Sequence, residues 1–276
     1  MLRLRPGRAA VHLALFLYTL LAVFPIVLVL MNSFKSRTAI FGAPLKPPLP
    51  GTFSLVGYVS VLSKANFGLY FVNSIVVTVV SLALVLFFGA MASWALTEYR
   101  VRGNTALGLY LAIGIMVPIR LGTVAILKII VGLNLANTLL ALILVYTATG
   151  LPLSIFILSE FIQQIPREMR DAARIDGAGE YRIFWSVILP LIRPAVATVA
   201  VFTMVPIWND LWFPLILAPG QGTRTVTLGA QQFIGQYVTD WNSVLSALSL
   251  ALAPIVILYI IFSRSLVRGI TSGAVK

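Results

Sequence analysis

The side chains capable of chemistry are concentrated in one short stretch, residues 171–194, which reads DAARIDGAGEYRIFWSVILPLIRP. Acids and arginines crowd together there, although the chain as a whole is only 10% charged and has eight acidic residues. The absence of cysteine excludes disulfides, thiolate metal sites and cysteine nucleophiles. The apolar segments carry no histidine cluster, paired carboxylates or Ser–Lys arrangement at helical spacing, so we predict no catalytic residue and no metal site.

The elements that surround this stretch have the composition of membrane spans. The 276 residues are 59% apolar, and the mean hydropathy is +0.99. Apolar runs that reach the roughly 20 residues needed to cross the hydrocarbon predict six helices. The predicted spans are 9–31, 69–96, 105–127, 137–161, 195–217 and 244–263. We therefore expect an all-α membrane protein with a single transmembrane domain, residues 1–276, and no separate hydrophilic domain.

The distribution of basic residues predicts the orientation of the chain. Of the 20 lysines and arginines, 13 lie at the two ends, in the loop that contains Arg100 and Arg102, or in residues 162–194, which we call the charged loop. This excess places both termini and the charged loop in the cytoplasm, and the net charge of +12 then records topology rather than nucleic-acid binding. The long first loop on the other side, residues 32–68, holds four prolines and is expected to be stiff and extended.

The charged loop has the start and stop residues of two short helices. Pro166 fits the first position of a helix, and Gly177 is placed to end that helix in a left-handed conformation. A second helical stretch, 180–189, carries aromatic and aliphatic residues back toward the bilayer. Pro190 and Pro194 then predict a break before the fifth span. The expected structure is a helix–turn–helix at the membrane surface, with its charges outward.

The spacing within the charged loop resembles a family motif. From Asp171 the order is acid, two alanines (Ala172 and Ala173), three residues, Gly177, nine residues, and then Val-Ile-Leu-Pro ending at Pro190. This resembles the E-A-A-x3-G-x9-I-x-L-P loop of permease subunits in bacterial ABC importers. The sequence departs from that motif at its first residue, where Asp replaces Glu, and at position 187, where Val replaces Ile.

Three further segments resemble the sugar-importer branch of that family, and within it the MalG-like subunits of maltose-type systems. They are WND at 208–210, DWNSVLSA at 240–247 and RGITSGAVK at 268–276. The resemblance implies the type I permease fold with six transmembrane helices, both termini cytoplasmic. It also implies a five-helix core over 69–263, preceded by the extra helix 9–31, in the bacterial inner membrane.

The resemblance further implies partners and contact residues. The charged loop would be a coupling helix that docks on a dimer of a separate ATP-binding subunit. The residues implied for that contact are Asp171, Ala172, Ala173, Asp176, Gly177 and Pro190, with the tail residues Gly273 and Lys276 reaching the same subunits. The other implied partners are a second, MalF-like permease, an extracytoplasmic sugar-binding protein and membrane lipid. The sequence has no G-x4-G-K-[ST] phosphate loop, so ATP and Mg²⁺ belong to the partner and no cofactor is expected here.

Polar residues inside predicted spans are candidates for a substrate path because they are costly in lipid. Asn209 and Asp210 stand between Trp208 and Trp212, and their oxygens suit sugar hydroxyls while the rings suit sugar C–H groups. The alternative is an aromatic belt at the outer interface together with helix packing. Arg120, two residues after Pro118, is expected to face the path or to pair with a carboxylate of a neighbouring subunit.

Four functions remain open at this level. The first is the permease subunit of an ATP-driven carbohydrate importer, in which the chain forms half of the pore and is not itself an enzyme. The second is an ABC permease for another solute, such as a polyol phosphate or a peptide. A self-sufficient channel or secondary transporter and an intramembrane enzyme are the third and fourth, and both make the EAA-like spacing a coincidence.

Overall fold

The computed structural model describes residues 6–64, 66–99, 102–234 and 239–274, and within these ranges the regular elements are helices. They are α1 (Pro6–Ser33), α2 (Arg37–Gly42), α3 (Val56–Lys64), α4 (Phe67–Glu98), α5 (Asn104–Met116), α6 (Thr123–Gly132), α7 (Leu139–Gln163), α8 (Arg167–Ile175), α9 (Glu180–Ile183), α10 (Leu189–Leu191), α11 (Arg193–Asn209), α12 (Trp212–Leu217), α13 (Val226–Ala230) and α14 (Trp241–Ala274). The chain divides into two compact units, Met1–Gly68 with Gly229–Ala253 and Leu69–Leu228 with Pro254–Lys276. The all-α prediction is confirmed.

The membrane-crossing helices agree in part with the six predicted spans. Within the described residues, three helices are long and apolar enough to cross, namely Ala10–Ser33, Phe67–Glu98 and Leu139–Gln163. The number rises to five if two bent pairs each count as one span. A shorter apolar helix, Trp241–Ile257, lies in the region of the predicted sixth span. The count of six and the cytoplasmic placement of both termini stay predictions.

Two of the predicted spans are broken rather than continuous. The third, predicted as 105–127, consists of Asn104–Met116 and Ile119–Gly132, which meet at 91°. Val117 before Pro118 adopts an extended backbone, as residues before proline do, and this ends α5. The fifth, predicted as 195–217, ends as α11 at Asn209, and Asp210 is extended before α12 begins. Pro214 explains that break, because in a continuous helix its ring would clash with the carbonyl of Asp210.

In the first unit, the predicted extended loop 32–68 folds instead around a buried lysine. Lys35 is 1% exposed, and its ammonium group donates to the Asn32 side-chain oxygen at 2.9 Å and to the carbonyls of Ala43 and Pro44 at 3.0 and 3.1 Å. Burial lowers the pKa of Lys35. Asn242 donates to the Lys35 carbonyl at 2.7 Å. These hydrogen bonds hold the loop in a compact form that carries α2 and α3.

In the second unit, α4 and α7 pack closely through small residues. A side chain at Gly89 of α4 would collide with the Ser154 hydroxyl of α7, because a Cβ there would lie 2.1 Å from that oxygen. Four residues along α4, the Ser93 hydroxyl donates to the Ile155 carbonyl at 3.1 Å. Small and hydroxylated residues let helices approach closely in membranes, and Gly89 and Ser93 have this packing role in α4.

Two apolar clusters fix the parts of the second unit that matter for function. One joins α4, α6, α7, α11 and α12 around Leu142, Tyr146 and Phe213. The other joins the last turns of α4 and α7 to the second half of the charged loop and the start of α11, around Trp94, Leu158 and Ile183. The first cluster therefore positions the broken fifth span, and the second anchors the second half of the charged loop.

Candidate functional site

The first half of the charged loop is a single polar helix, α8, closed by a glycine. Pro166 is the residue before α8 and not its first residue, so the helix begins one position later than predicted. Gly177 has φ of +78°, so it supplies the left-handed residue that the sequence predicted. The Gly177 amide donates to the Arg174 carbonyl at 3.0 Å and the Ala178 amide donates to the Ala173 carbonyl at 3.0 Å. This pair of hydrogen bonds is a Schellman motif, which gives the turn after α8 a fixed shape.

The second half of the charged loop returns to the protein through a π-helical turn. α9 runs into the π turn Phe184–Ile188 and then into α10, which contains Pro190. Ile183 and Ile188 are fully buried, so this half packs inward as predicted. The break before α11 falls at Ile192, between the two prolines. The predicted helix–turn–helix is therefore present.

The residues expected to contact an ATPase fall on two sides of the loop. Asp171, Ala172, Asp176 and Gly177 are exposed. Ala173 and Pro190 are partly buried, and Ala173 packs against the second apolar cluster. Ile175, on the outer side, is 86% exposed. The outer side of α8 therefore combines small, acidic and aliphatic residues, which suits a protein partner better than open water.

The charges of the loop do not all point outward, which contradicts the expectation from sequence. Arg170 is the buried residue of α8, and its guanidinium donates to Glu98 at the end of α4 at 2.6 Å. Arg174 pairs with the other oxygen of Glu98, with Asp171 at 3.1 Å and with Glu180 of α9 at 2.9 Å. We call these five residues the ion-pair cluster. The sequence analysis placed the charges of the loop outward and so missed Glu98, which lies more than 70 positions before its two arginine partners.

Electrostatics within the ion-pair cluster favour the charged forms. The hydrogen bond from Arg174 lowers the pKa of Glu180, against the effect of partial burial. The hydrogen bonds to Glu180 and Glu98 raise the pKa of Arg174. Both ions of this pair therefore stay charged over the whole physiological pH range.

A cavity of about 740 Å³ opens where the two helix breaks meet. It lies between the turn after Pro118, the middle of α7, the end of α11 and the start of α12. Its polar lining residues are Arg120, Tyr146, Thr149, Thr203, Asn209 and Asp210, and its aromatic lining includes Phe202, Trp212 and Phe213. An apolar pocket with a few convergent polar groups is the usual form of a small-molecule site.

Asp210 holds the break in the fifth span in place. Its carboxylate accepts hydrogen bonds from the Tyr146 hydroxyl at 2.8 Å and from the backbone amides of Trp212 and Phe213, both at 3.1 Å. Those amides are the free donors at the start of α12, so Asp210 acts as a helix cap. Tyr146 lies in the first apolar cluster, which connects the cap to α7.

Arg120 and Trp212 form the polar aromatic wall of the cavity. The Arg120 guanidinium lies over the Trp212 ring, 5.6 Å from its centroid, a cation–π contact. The Trp212 indole nitrogen donates to the Thr123 hydroxyl at 3.0 Å, at the start of α6. This wall presents guanidinium donors beside an aromatic edge and the Asn209 amide. Such a surface can hold a polyhydroxylated solute by hydrogen bonds and by C–H contacts with the ring.

The predicted path residues are thus divided by the structure. Arg120, Asn209 and Asp210 line the cavity, whereas Trp208 is 5% exposed and is not among the cavity's lining residues. The Trp208 ring packs edge-on against Phe71 at 5.7 Å. The packing alternative therefore describes Trp208, and Trp212 is the tryptophan at the cavity.

Two of the cavity residues were missed or underused by sequence reasoning, and one pair of predictions cannot be placed. Tyr146 carried no signal, because a tyrosine in an apolar run is most often a packing residue. Trp212 was noted only as a flank of Asp210. Lys276 lies outside the described residues, and Gly273 lies in the part of α14 whose side-chain surroundings are outside them.

Most of the chain is similar to permease proteins of known transport systems. The model of the family described as "Binding-protein-dependent transport system inner membrane component" matches residues 85–272. The diacetylchitobiose uptake system permease protein NgcG of Streptomyces coelicolor is 32% identical over 96% of this chain and 88% of its own length. The arabinooligosaccharides transport system permease protein AraQ of Halalkalibacterium halodurans is 31% identical over 93% of this chain and 92% of its own.

The fold has a counterpart among solved structures. A chain from a bacterial ABC transporter involved in the import of the acidic polysaccharide alginate superposes with a TM-score of 0.78. The match covers 93% of this chain and 95% of that one, at 21% sequence identity. At that identity the likeness concerns the fold alone, and it agrees with the type I permease architecture that the EAA-like spacing implied.

Proposed function

Because the chain belongs to the family of binding-protein-dependent transport system inner membrane components, we propose that it is the permease subunit of an ATP-driven carbohydrate importer. It is a multi-pass protein of the bacterial inner membrane and a transport component. In our proposal it forms half of the translocation pore and couples ATP hydrolysis by another subunit to alternating access.

The cavity is the observation that carries the carbohydrate proposal. Its wall offers the donors and acceptors of Arg120, Asn209 and Asp210 beside the Trp212 ring. That combination matches the mixed character of a sugar, which has hydroxyls at its edges and C–H groups on its faces. The names of relatives point to the same class, since they refer to diacetylchitobiose, arabinooligosaccharides and starch degradation products.

The outer side of α8 supports the coupling part of the proposal. In that view Asp171, Ala172, Asp176 and Gly177 contact a dimer of ATP-binding subunits, and Ile175 fills an apolar recess of that partner. Ala173 and Pro190 contribute indirectly, because they fix the loop on the rest of the chain. The carboxylate of Asp171 is shorter than the glutamate of the family motif, so its contact requires a closer approach of the partner.

The remaining parts of the assembly belong to the same proposal. A second, MalF-like permease completes the pore, and an extracytoplasmic sugar-binding protein delivers the solute. Gly273 and Lys276 contact the ATP-binding subunits from the tail. ATP and Mg²⁺ bind to those subunits and not to this chain.

ATP-dependent uptake by the reconstituted assembly tests the proposal. The transporter is placed in liposomes with its second permease, ATP-binding subunits and binding protein, and uptake of labelled diacetylchitobiose and arabino-oligosaccharides is measured. We expect Trp212→Ala to lower uptake about tenfold, the effect of losing about 1.4 kcal/mol of contact with the solute. The yield of co-purified ATP-binding subunit should stay unchanged, because Trp212 is remote in sequence and in contacts from α8.

Trp241→Ala is the matched control. Trp241 is 41% exposed and Trp212 is 40% exposed, so the two substitutions remove similar surface, but Trp241 does not line the cavity. Equal losses in both variants would refute the cavity as the sugar path. ATP-driven uptake of a non-saccharide with no uptake of either sugar would refute the carbohydrate class and favour the other-solute alternative.

A further inference from the structure

α8 is attached to the rest of the chain mainly by ion pairs, and Ala173 adds a small apolar contact with the second apolar cluster. The one residue of α8 that is buried is Arg170, with 7% of its side chain exposed. The larger apolar residues of the helix, Met169 and Ile175, are exposed instead. A helix that offers no large apolar side chain to the core needs another means of staying in place, and a buried charge requires a partner.

Glu98 supplies that partner. It is the last residue of α4, its side chain is 12% exposed, and each of its carboxylate oxygens receives a different arginine. Arg170 also lies over the ring of Trp94, one turn earlier on α4, at 5.9 Å from the centroid. Two consecutive turns of α4 therefore hold α8.

The same carboxylate connects both helices of the charged loop. Arg174, which pairs with Glu98, donates through its Nε to Glu180 at the start of α9, at 2.9 Å. Movement of α8 relative to α4 would break the contacts of Arg170 and Arg174 together. Because the side chains of Arg170 and Glu98 are only 7% and 12% exposed, salt screens that pair little, and leaving Arg170 unpaired is costly.

We propose that Glu98 is a positioning residue that fastens the coupling helix α8 to α4, so that the two helices move as one body when the transporter changes state. α4 has 32 residues, so a displacement of α8 would be carried along a helix of about 48 Å. The transport consequence rests on the proposed function, whereas the attachment itself does not. The Glu98 carboxylate would then help to transmit the movement of α8 to the rest of α4.

The distance between spin labels on the two helices tests this proposal. The chain has no cysteine, so labels at Leu69→Cys and Met169→Cys are the only ones in it. Both positions are exposed, at 43% and 45%, and Met169 lies on α8 outside the residues proposed to contact the ATP-binding subunits. The distance distribution is measured by electron paramagnetic resonance in the complete transporter, without nucleotide and with ATP bound to hydrolysis-deficient partner subunits. We expect a narrow distribution that is the same in both states.

Glu98→Gln should release the coupling helix. The glutamine side chain has the same size, but its amide nitrogen would face a guanidinium, donor against donor, and it can accept from only one arginine. We expect the distance distribution to become roughly twofold wider and its mean to shift when ATP binds, since a buried arginine is left unpaired. Glu98→Asp, which keeps the charge, should restore part of the nucleotide independence.

Glu160→Gln is the control, because Glu160 makes no ion pair with any described residue and lies on α7. A distance that shifts with ATP in the parent transporter would overturn the proposal. So would a Glu98→Gln distribution that stays narrow and independent of nucleotide. Failure of the proposed function is a separate result, seen as absence of ATP-driven sugar uptake in the parent transporter whatever the label distance.

Discussion

The charged loop and the cavity are built in opposite ways. In the loop, oppositely charged side chains turn inward and satisfy one another, while Ile175 projects outward. In the cavity, the lining is mostly apolar and aromatic, and Arg120 and Asn209 add polar groups that face the open space. Each region therefore exposes the kind of group that its proposed ligand can bind. The loop offers apolar surface to a protein, and the cavity offers hydrogen bonds to a small polar solute.

The two regions also differ in what keeps them in shape. The loop depends on a carboxylate from a distant part of the sequence, Glu98, whereas the cavity depends on proline-induced breaks near Pro118 and Pro214 and on the cap at Asp210. A region held by ion pairs is rigid until one partner is lost. A region at helix breaks can change its angle with small changes in backbone dihedrals. This contrast fits a loop that transmits motion and a cavity that changes shape.

The largest expected effect is the removal of the buried arginine. Arg170→Met keeps the apolar length of the side chain and leaves Glu98 with Arg174 alone, so we expect a loss of about 3 kcal/mol in the stability of the folded chain. That corresponds to a fall of roughly 10 °C in the temperature of unfolding in detergent. Arg167→Met, an exposed arginine at the start of the same helix, should change this temperature little. Similar losses for both arginines would mean that the loop is not held by Glu98.

The cavity should respond to loss of its cap with a smaller and more local effect. Asp210→Ala removes the acceptor of the Tyr146 hydroxyl and of two backbone amides, and we expect a cost of about 2 kcal/mol. Hydrogen exchange at the amides of Trp212 and Phe213 should become faster. Asn209→Ala should leave both amides protected, because within the described part of the chain Asn209 donates back to the Val205 carbonyl of its own helix and not to α12. Protection that survives Asp210→Ala would show that the break needs no cap.

The sequence predicted the charged loop well because its determinants are local. Two local residues define the helix: a proline stands before α8 and a glycine ends it. The structure has both of them. The partners of the buried charges were not local. Glu98 ends an apolar helix of 32 residues, and its only signal was that an acid stands at the end of such a helix.

The cavity was harder to predict, since it is made by the shape of the backbone. A window of apolar residues measures length and hydropathy, and it joined α11 and α12 into one span across the break at Asp210. Pro214 was the available signal, because a proline ends or bends the helix that precedes it. Trp208 and Trp212 are four residues apart and would share a face of a continuous helix, but the break sends one into the core and the other to the cavity.

A smaller effect is expected at the turn that follows α8. Gly177→Ala should cost about 1 kcal/mol, because φ there is +78° and alanine is strained in that conformation. Sterics with neighbours do not contribute, since nothing lies within 4 Å of a Cβ at this position. Gly179→Ala is the matched control, with φ of −71° and equal free space, and it should be neutral. Equal unfolding temperatures for the two variants would show that the left-handed turn is not needed to close α8.

The smallest effect is the acid sensitivity of the link between α8 and α9. The pKa of Glu180 is lowered in the folded protein, chiefly by the hydrogen bond from Arg174, so the folded state binds this proton less readily than the unfolded state does. The contribution of this ion pair to stability is therefore complete above the ordinary pKa of glutamate and is lost as pH falls through the lowered value.

Since the Glu180 side chain is 41% exposed, screening limits the contribution of its ion pair to about 0.5 kcal/mol. A spin label at Ile175→Cys should become more mobile as pH falls below the ordinary pKa of glutamate. Part of that change should disappear in Glu180→Gln and remain in Glu168→Gln, an exposed glutamate of the same loop. An identical acid response in all three proteins would mean that Glu98 alone, without Glu180, determines the position of α8.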